Sequence, residues 1–237
     1  MSLWKSNLEQ SQSTDRMRLI ASPWHTVLVL VVEIGLGVRG YFRADLMRAA
    51  TNPDRISLYG HTMFFEWMGF VLVIAGVWMH DASLYTVLGE RWRSVQALMT
   101  DVGIGFVLLV ASIMVPTIFG PHSPSADQTT QFLLPRGGAE VAGWIALSLT
   151  AGLCEEVLFR GYLQKQFAAF TNNAAVGILC SAVLFGVAHV YQGLTKAVLI
   201  SVEGALLGVA AHWRKSTRPG MLAHAAQDLM GGLMRHR

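Results

Sequence analysis

The sequence Cys154-Glu155-Glu156-Val157-Leu158-Phe159-Arg160-Gly161 decides how the rest of the chain is interpreted. Two adjacent carboxylates and an arginine follow an apolar run that begins near Val141. Charges in hydrocarbon are costly, so ionisable side chains at membrane depth are few, usually paired and often functional. In a helix, Glu156 and Arg160 lie four residues apart on one face and can form an ion pair. Glu155 points roughly 100° away at about 3.6 residues per turn, and is available for another role.

The composition indicates a membrane protein with all-α structure. Of the 237 residues, 53% are hydrophobic and only 14% are charged, whereas a soluble domain usually has about 25% charged residues. Only helices or a closed barrel satisfy the backbone in lipid, and continuous rather than alternating apolar runs favour helices. The net charge of +3 is small and scattered. It indicates contact with membrane lipid at the ends of spans and argues against a nucleic-acid partner.

The apolar runs predict a polytopic transmembrane helix bundle of about seven spans. The expected spans are residues 23–40, 61–80, 95–119, 140–163, 173–191, 194–213 and 219–234. An amphipathic interfacial helix is expected over residues 41–50, where arginines alternate with apolar side chains. The loop 120–138 is rich in Pro, Ser, Thr and Gln and is the clearest linker. We therefore divide the chain into a polar leader (1–22), amino-terminal helices with the loop (23–138) and a carboxyl-terminal helix bundle that carries the motifs described next (139–237).

Three segments of the second half carry polar residues at one-turn spacing. The first contains Glu155, Glu156 and Arg160, and the second and third contain the pairs Phe185 and His189, and His224 and Asp228. Residues four apart lie on one helix face. In a bundle, the three faces can converge on a wet cavity within an apolar protein. A carboxylate in such a cavity suits a general base, and histidines can move protons, stabilise an oxyanion or bind a metal.

These motifs resemble the CAAX protease and bacteriocin-processing family of intramembrane endopeptidases, which includes the type II CAAX prenyl endopeptidases. The matching segments are Glu-Glu-Val-Leu-Phe-Arg from Glu155, Phe-Gly-Val-Ala-His from Phe185 and His-Ala-Ala-Gln-Asp from His224. The resemblance extends over about residues 142–234 and includes Gly204, Gly208 and the run 218–224. Residues 1–138 resemble no family that we recognise.

The resemblance implies an endopeptidase acting on a membrane-associated or hydrophobic peptide, of which prenylated peptides are one type. Glu155 would activate the water that attacks the scissile carbonyl, and His189 would assist at that water. The positions of His224 and Asp228 would lie at the oxyanion. Glu156 and Arg160 would form a supporting ion pair, and Phe185 would support the second motif.

Two features leave the chemistry open at this level. Asp228 stands where the prenyl endopeptidases have Asn, and an ionised Asp cannot donate to an oxyanion, so it would be protonated or would orient His224. The family is described both as metal-dependent and as metal-independent. A divalent metal such as zinc, if used, would be bound by Glu155, His189 and His224. The sequence has no His-Glu-x-x-His motif, and no other cofactor is expected.

Four carboxylates outside the three motifs lie within predicted spans and have predicted roles. Glu203 lies in mid-span, so we expect it to face the cavity and to pair with Arg160 or a histidine. Glu33, Glu66 and Asp101 lie nearer to span ends, where an ordinary interfacial role is expected.

The alternatives to a protease are a non-catalytic membrane protein for immunity to a toxin or bacteriocin peptide or for scaffolding, and a proton-coupled transporter. The expected location is the inner or plasma membrane of a prokaryote, with water entering from the cytoplasmic side.

Overall fold

The structure of the protein is a computed structural model that describes residues 17–120 and 131–234. These residues form helices and connecting turns, with no β-strand among them. Residues 1–16 of the predicted leader (1–22) and residues 121–130 of the predicted linker (120–138) therefore lie outside the described residues. We number the α-helices in chain order: α1 Pro23–Ala49, α2 Arg55–Trp78, α3 Leu84–Leu88, α4 Val95–Phe119, α5 Gly138–Glu156, α6 Gln164–Thr171, α7 Ala174–Ala188, α8 Leu194–Arg214 and α9 Arg218–Leu233.

The protein is a multi-pass integral membrane protein, as the sequence predicted. Each of the seven predicted spans corresponds to a helix. Four described helical segments are long and apolar enough to cross a membrane: Arg55–Trp78, Val95–Phe119, Gly138–Thr171 and Leu194–Arg214. Ala174–Ala188 is a shorter apolar helix. The class of helical membrane bundle is confirmed. The three other helices that correspond to predicted spans, α1, α7 and α9, do not meet both the length and the apolarity needed to cross a membrane.

Three predicted boundaries are corrected by the structure. The expected interfacial helix over 41–50 is the continuation of α1, which runs unbroken to Ala49 because no Pro lies within that stretch. Helix α2 begins at Arg55, six residues earlier than predicted, because the Asp54 side chain accepts from the Ser57 backbone N–H and caps the helix there. Helix α7 ends at Ala188, so His189 lies just beyond its last turn.

Helix α5 continues into an irregular segment that the sequence pattern did not predict. Val157–Leu163 forms a π-helical turn, and α6 follows directly, so one helical path runs from Gly138 to Thr171. All seven residues of this turn are buried. A π-helical turn widens the helix locally and occurs often at functional sites. Here it immediately follows Glu155 and Glu156 and contains Arg160.

The π-helical turn lies at the centre of the main hydrophobic core. Val157, Phe159, Tyr162 and Leu163 pack in one cluster with residues of α1, α2, α3 and α7. Polar side chains form hydrogen bonds at the periphery of this core. The Tyr162 hydroxyl is hydrogen-bonded to His25 Nδ1 at 2.6 Å. The amino-terminal helices are thus packed onto the segment that carries the glutamate pair. The domain division at 138/139 remains a prediction.

Close contacts at small residues set the distances between the helices of the second half. At Gly152 on α5, a Cβ atom would lie 2.7 Å from the Ala225 Cβ of α9 and 3.0 Å from Met221 O. At Gly204 on α8, it would lie 3.1 Å from Arg160 Nη2 and 3.2 Å from Phe185 Cδ1. Such contacts let membrane helices approach closely. They bring α5, α7 and α9 together where the three motifs lie.

Candidate active site

Glu155 lies where helices α5, α7 and α9 meet. Its Oε2 atom is 3.9 Å from His189 Nε2 and 3.8 Å from His224 Nε2. These separations exceed a hydrogen bond, and Oε2 has no hydrogen-bond partner among the described residues although it is buried. Burying an unpaired carboxylate oxygen is costly. The arrangement therefore leaves one carboxylate oxygen facing two imidazole nitrogens across a narrow gap.

Glu156 makes contacts different from those of its neighbour. Arg160 Nη1 donates to Glu156 Oε1 at 2.7 Å, and both side chains are essentially without solvent contact, at 0% and 1% exposed. The same Oε1 atom lies 3.2 Å from His224 Nδ1. The Arg160 guanidinium also lies over the Phe185 ring, 4.1 Å from its centroid. Glu156 thus holds His224 at its Nδ1 atom, while Glu155 faces the Nε2 atom of the same ring.

His189 is oriented by the end of helix α7. Its Nδ1 atom lies 2.8 Å from the Phe185 carbonyl oxygen, which can only accept, so Nδ1 carries the proton of the neutral imidazole. The Phe185 ring packs edge-on against the rings of both His189 and His224, with centroid distances of 4.8 and 5.7 Å. Phe185 therefore separates and supports the two histidines. The Nε2 atom of His189 is left with a lone pair directed towards Glu155.

Asp228 lies one turn after His224 on α9. Its Oδ2 atom is 3.7 Å from His224 Nε2. The indole of Trp144 on α5 donates to the Asp228 backbone carbonyl at 2.9 Å and so holds this turn of α9 against α5. His224 is consequently flanked by Glu155 and Asp228 at Nε2 and by Glu156 at Nδ1. The structure brings all seven predicted site residues together.

Glu203 lies in the same region but with a different partner from the predicted ones. Gln227 Nε2 donates to Glu203 Oε2 at 3.1 Å, and the Ser112 hydroxyl makes a second side-chain hydrogen bond to Glu203. The side chain is 8% exposed. The neutral amide of Gln227 thus occupies the place for which the sequence suggested Arg160 or a histidine.

Two cavities that share lining residues open onto this cluster. The larger, of about 370 Å³, is lined by polar side chains that include Glu66, Glu155, His189, Glu203, His224 and Asp228. A second, of about 200 Å³, also reaches Glu155, His189 and Glu66, and extends to Glu33, Arg39 and Arg43 of α1. The ordinary interfacial role expected for Glu33 and Glu66 is therefore wrong. Their positions near predicted span ends did not show that both helices face inwards there.

Three further residues of the cavity wall carry polar groups that sequence reasoning did not single out. Tyr191, Gln192 and Gln227 line the larger cavity. Tyr191 also lines the smaller one, and its ring stacks on His189 with a centroid distance of 5.9 Å. Tyr191 and Gln192 follow His189 by two and three residues, and Gln227 precedes Asp228. Proximity to the motif residues was the available signal.

The residues present do not form a metal site. Zinc ligands lie about 2.0–2.2 Å from the ion, which places two ligands of a tetrahedral site about 3.4 Å apart. Here the two histidine nitrogens lie 3.8 and 3.9 Å from Glu155 Oε2. Across residues 17–120 and 131–234, no three His, Cys, Asp or Glu side chains are arranged to hold a metal ion. The zinc alternative is not supported by this geometry, so the chemistry is derived from the side chains.

Fold and site together define a class: a multi-pass helical membrane protein with an acid and imidazole cluster in an internal cavity. Residues 137–230 match the family model described as Type II CAAX prenyl endopeptidase Rce1-like. The family resemblance that the three motifs indicated is thereby confirmed for this part of the chain. The matched residues include every member of the cluster, and the family is one of proteases. No curated protein and no solved structure matches the chain.

Proposed function

We propose that this protein is an intramembrane endopeptidase of a prokaryotic inner or plasma membrane. It would hydrolyse a peptide bond in a membrane-associated or hydrophobic peptide with a glutamate-activated water. The observation that carries the proposal is the gap between Glu155 Oε2 and the Nε2 atoms of His189 and His224, at 3.9 and 3.8 Å. Polar atoms separated by more than 3.5 Å are often bridged by water, and Glu155 Oε2 and His189 Nε2 can share one, next to His224.

Hydrogen bonding orients this water for attack. Neutral His189 has its proton on Nδ1, so its Nε2 atom can only accept, and the Glu155 carboxylate can only accept as well. A water that donates one hydrogen to each has its lone pairs directed away from both. Glu155 takes the proton as this oxygen attacks the scissile carbonyl carbon, and returns it to the amine that leaves. This is general base and then general acid catalysis by one group.

His224 supplies charge stabilisation on the other side of the cluster. Its Nδ1 atom donates to Glu156, and its Nε2 atom, when protonated, can donate to the carbonyl oxygen as charge develops there. Asp228, 3.7 Å from the same nitrogen, orients the ring. The buried ion pair of Glu156 with Arg160 keeps the imidazole in place. The catalytic set is then Glu155, His189 and His224, with Asp228, Glu156, Arg160 and Phe185 as positioning residues.

The test is cleavage of internally quenched hydrophobic peptides by the purified full chain in lipid nanodiscs. We expect cleavage by the wild type, and a loss of at least about 1000-fold in Glu155→Gln, because the amide cannot accept the proton. Glu90→Gln, at an exposed carboxylate of a turn, is the matched control and should leave the rate unchanged. A folded Glu155→Gln variant with full activity would contradict the proposal and favour a non-catalytic role.

A further inference from the structure

The attacked carbonyl requires more than one hydrogen-bond donor, and the motif residues provide few. A tetrahedral intermediate carries a full negative charge on oxygen, and preorganised donors contribute much of its stabilisation. Asp228 occupies a position next to His224 Nε2 and, when ionised, has no hydrogen to give. His189 Nδ1–H is used by the Phe185 carbonyl. Of the motif residues that line the larger cavity, His224 remains as a donor.

Tyr191 brings a hydroxyl group to the same cavity. It lies in the 3₁₀ turn Val190–Gln192, directly after His189, and lines both cavities that reach Glu155. Its ring stacks on the His189 ring, and its backbone carbonyl accepts from Arg48 at the end of α1. The tyrosine is thus held at both its backbone and its ring, on the face of His189.

The hydrogen bonds of Tyr191 leave its own hydrogen available. Gln192 Nε2 lies 3.2 Å from the phenol oxygen, and an amide nitrogen only donates, so the phenol is the acceptor there. In the part of the chain that the structure describes, the phenolic hydrogen makes no hydrogen bond to another residue. Burial raises the pKa of the Tyr191 phenol above its ordinary value, so the hydrogen is retained at neutral pH. A hydroxyl in such a position usually finds a partner.

We propose that the Tyr191 hydroxyl is a further catalytic residue, which donates a hydrogen bond to the oxygen of the attacked carbonyl. It would act together with His224 and replace the donor that an amide at position 228 would provide. The proposal rests on the proposed peptidase function. It assigns a role in this reaction to a residue outside the three motifs.

The experiment compares Tyr191→Phe with the wild type in the same nanodisc assay. Phenylalanine keeps the ring that stacks on His189 and removes only the hydroxyl. We expect kcat to fall about 100-fold, as for the loss of one oxyanion donor, with KM within about twofold, since the ground-state carbonyl is bound weakly. A phosphinic analogue of the cleaved peptide should bind Tyr191→Phe about 100-fold more weakly than it binds the wild type. When Tyr191→Phe is added to the inactive Glu155→Gln variant, the affinity for the uncleaved peptide should not change.

The controls separate the two proposals. Tyr85→Phe removes a hydroxyl that lies outside the cavity walls, next to Arg91, and should leave kcat unchanged. Thermal unfolding should show that Tyr191→Phe is folded. Full activity in Tyr191→Phe, with Glu155→Gln inactive, would overturn the donor role and leave the peptidase function standing. Failure of the wild type to cleave, or full activity in Glu155→Gln, would overturn the peptidase function and the donor role with it.

Discussion

At the scale of residues, the two adjacent glutamates have separate tasks because their surroundings differ. Glu156 is fully buried against a cation and an imidazole. Glu155 has an oxygen without a hydrogen-bond partner in the described structure, facing the cavity. A buried ion pair adds little net stability, but removing one partner leaves an uncompensated charge. In the proposed mechanism, the pair of Glu156 with Arg160 positions His224.

Removal of Arg160 alone should strongly destabilise the folded protein. We expect Arg160→Met to lower the free energy of unfolding by about 3–5 kcal/mol, because the Glu156 carboxylate stays buried. The double variant Glu156→Leu/Arg160→Met should recover most of this stability. Its peptidase activity should remain low, because His224 has lost its anchor at Nδ1. Unfolding in denaturant, monitored in detergent, measures the first effect; a stable Arg160→Met variant would contradict the argument.

Position 228 offers a rescue of the proposed tyrosine donor. An amide at this position can donate where the carboxylate cannot, so Asp228→Asn in the Tyr191→Phe background should raise kcat by about 10-fold over Tyr191→Phe alone. The rate constants of the two variants on one peptide measure this. Asp228→Ala in the same background is the control, since it removes the carboxylate without adding a donor. Equal rates in all three would show that position 228 lies away from the oxyanion.

At the scale of elements, the spacing between α5 and α9 sets the geometry of the candidate active site. Gly152 lies one turn before Glu155 and Glu156, and Ala225 follows His224 directly. The close approach of these two residues brings His224 to both glutamates. The π-helical turn that follows carries Arg160 to the same place. Small shifts between the helices therefore separate the acid from the imidazoles.

Substitution of Gly152 tests this spacing. We expect Gly152→Ala to lower the free energy of unfolding by about 1–3 kcal/mol through overpacking, and to lower kcat/KM by at least about 10-fold. Gly103→Ala on α4 is the matched control, because a Cβ atom there meets nothing within 4 Å and the residue lines neither of the two cavities. The control should be unchanged or slightly more stable. Equal activity in the two variants would show that the contact at Gly152 does not determine the site.

At the scale of the whole molecule, apolar side chains cover the outside of the bundle while charges line its interior cavity. On α7, Leu179, Val183 and Val187 are 60, 55 and 55% exposed, and Cys180 is exposed beside them. Such a face is excluded from water only when lipid covers it. The same helix carries Phe185 inwards. The two faces of α7 therefore differ: one is exposed and apolar, and the other faces the cavity.

Thiol labelling tests this orientation. In intact vesicles, a charged, membrane-impermeant maleimide should label Cys180 at least about 10-fold more slowly than after solubilisation in denaturing detergent, because thiolates form poorly in hydrocarbon. Cys154 is buried and should contribute little under native conditions. The control is Glu90→Cys, which places a thiol at an exposed position between helices. In vesicles permeabilised to the reagent, this thiol should be labelled rapidly. Rapid labelling of Cys180 would place the outer face of α7 in water.

Much of the fold could be predicted because the membrane imposes it. Continuous apolar runs must be helices in lipid, and residue spacing places Glu156 with Arg160 and Phe185 with His189. The third span was predicted with the bounds that α4 has, 95–119. In the structure the Ser94 side chain caps its first turn, and Gly120 follows its last residue. Some boundaries were missed although they depend on local sequence: α1 has no break at the predicted position 40/41, and α2 begins at the Asp54 cap, six residues before the predicted start.

The sequence by itself determined the helical membrane class, the family resemblance and the residues that carry the cluster, because these depend on composition and on spacing along one helix. Only the tertiary structure decided which groups share the cavity. Distances between helices depend on side-chain packing at positions such as Gly152 and Gly204, and no local pattern encodes them. The packing turns Glu33 and Glu66 inwards, gives Glu203 an amide partner and brings Tyr191 to His189. It also directs Glu155, unlike Glu156, towards two imidazoles at once.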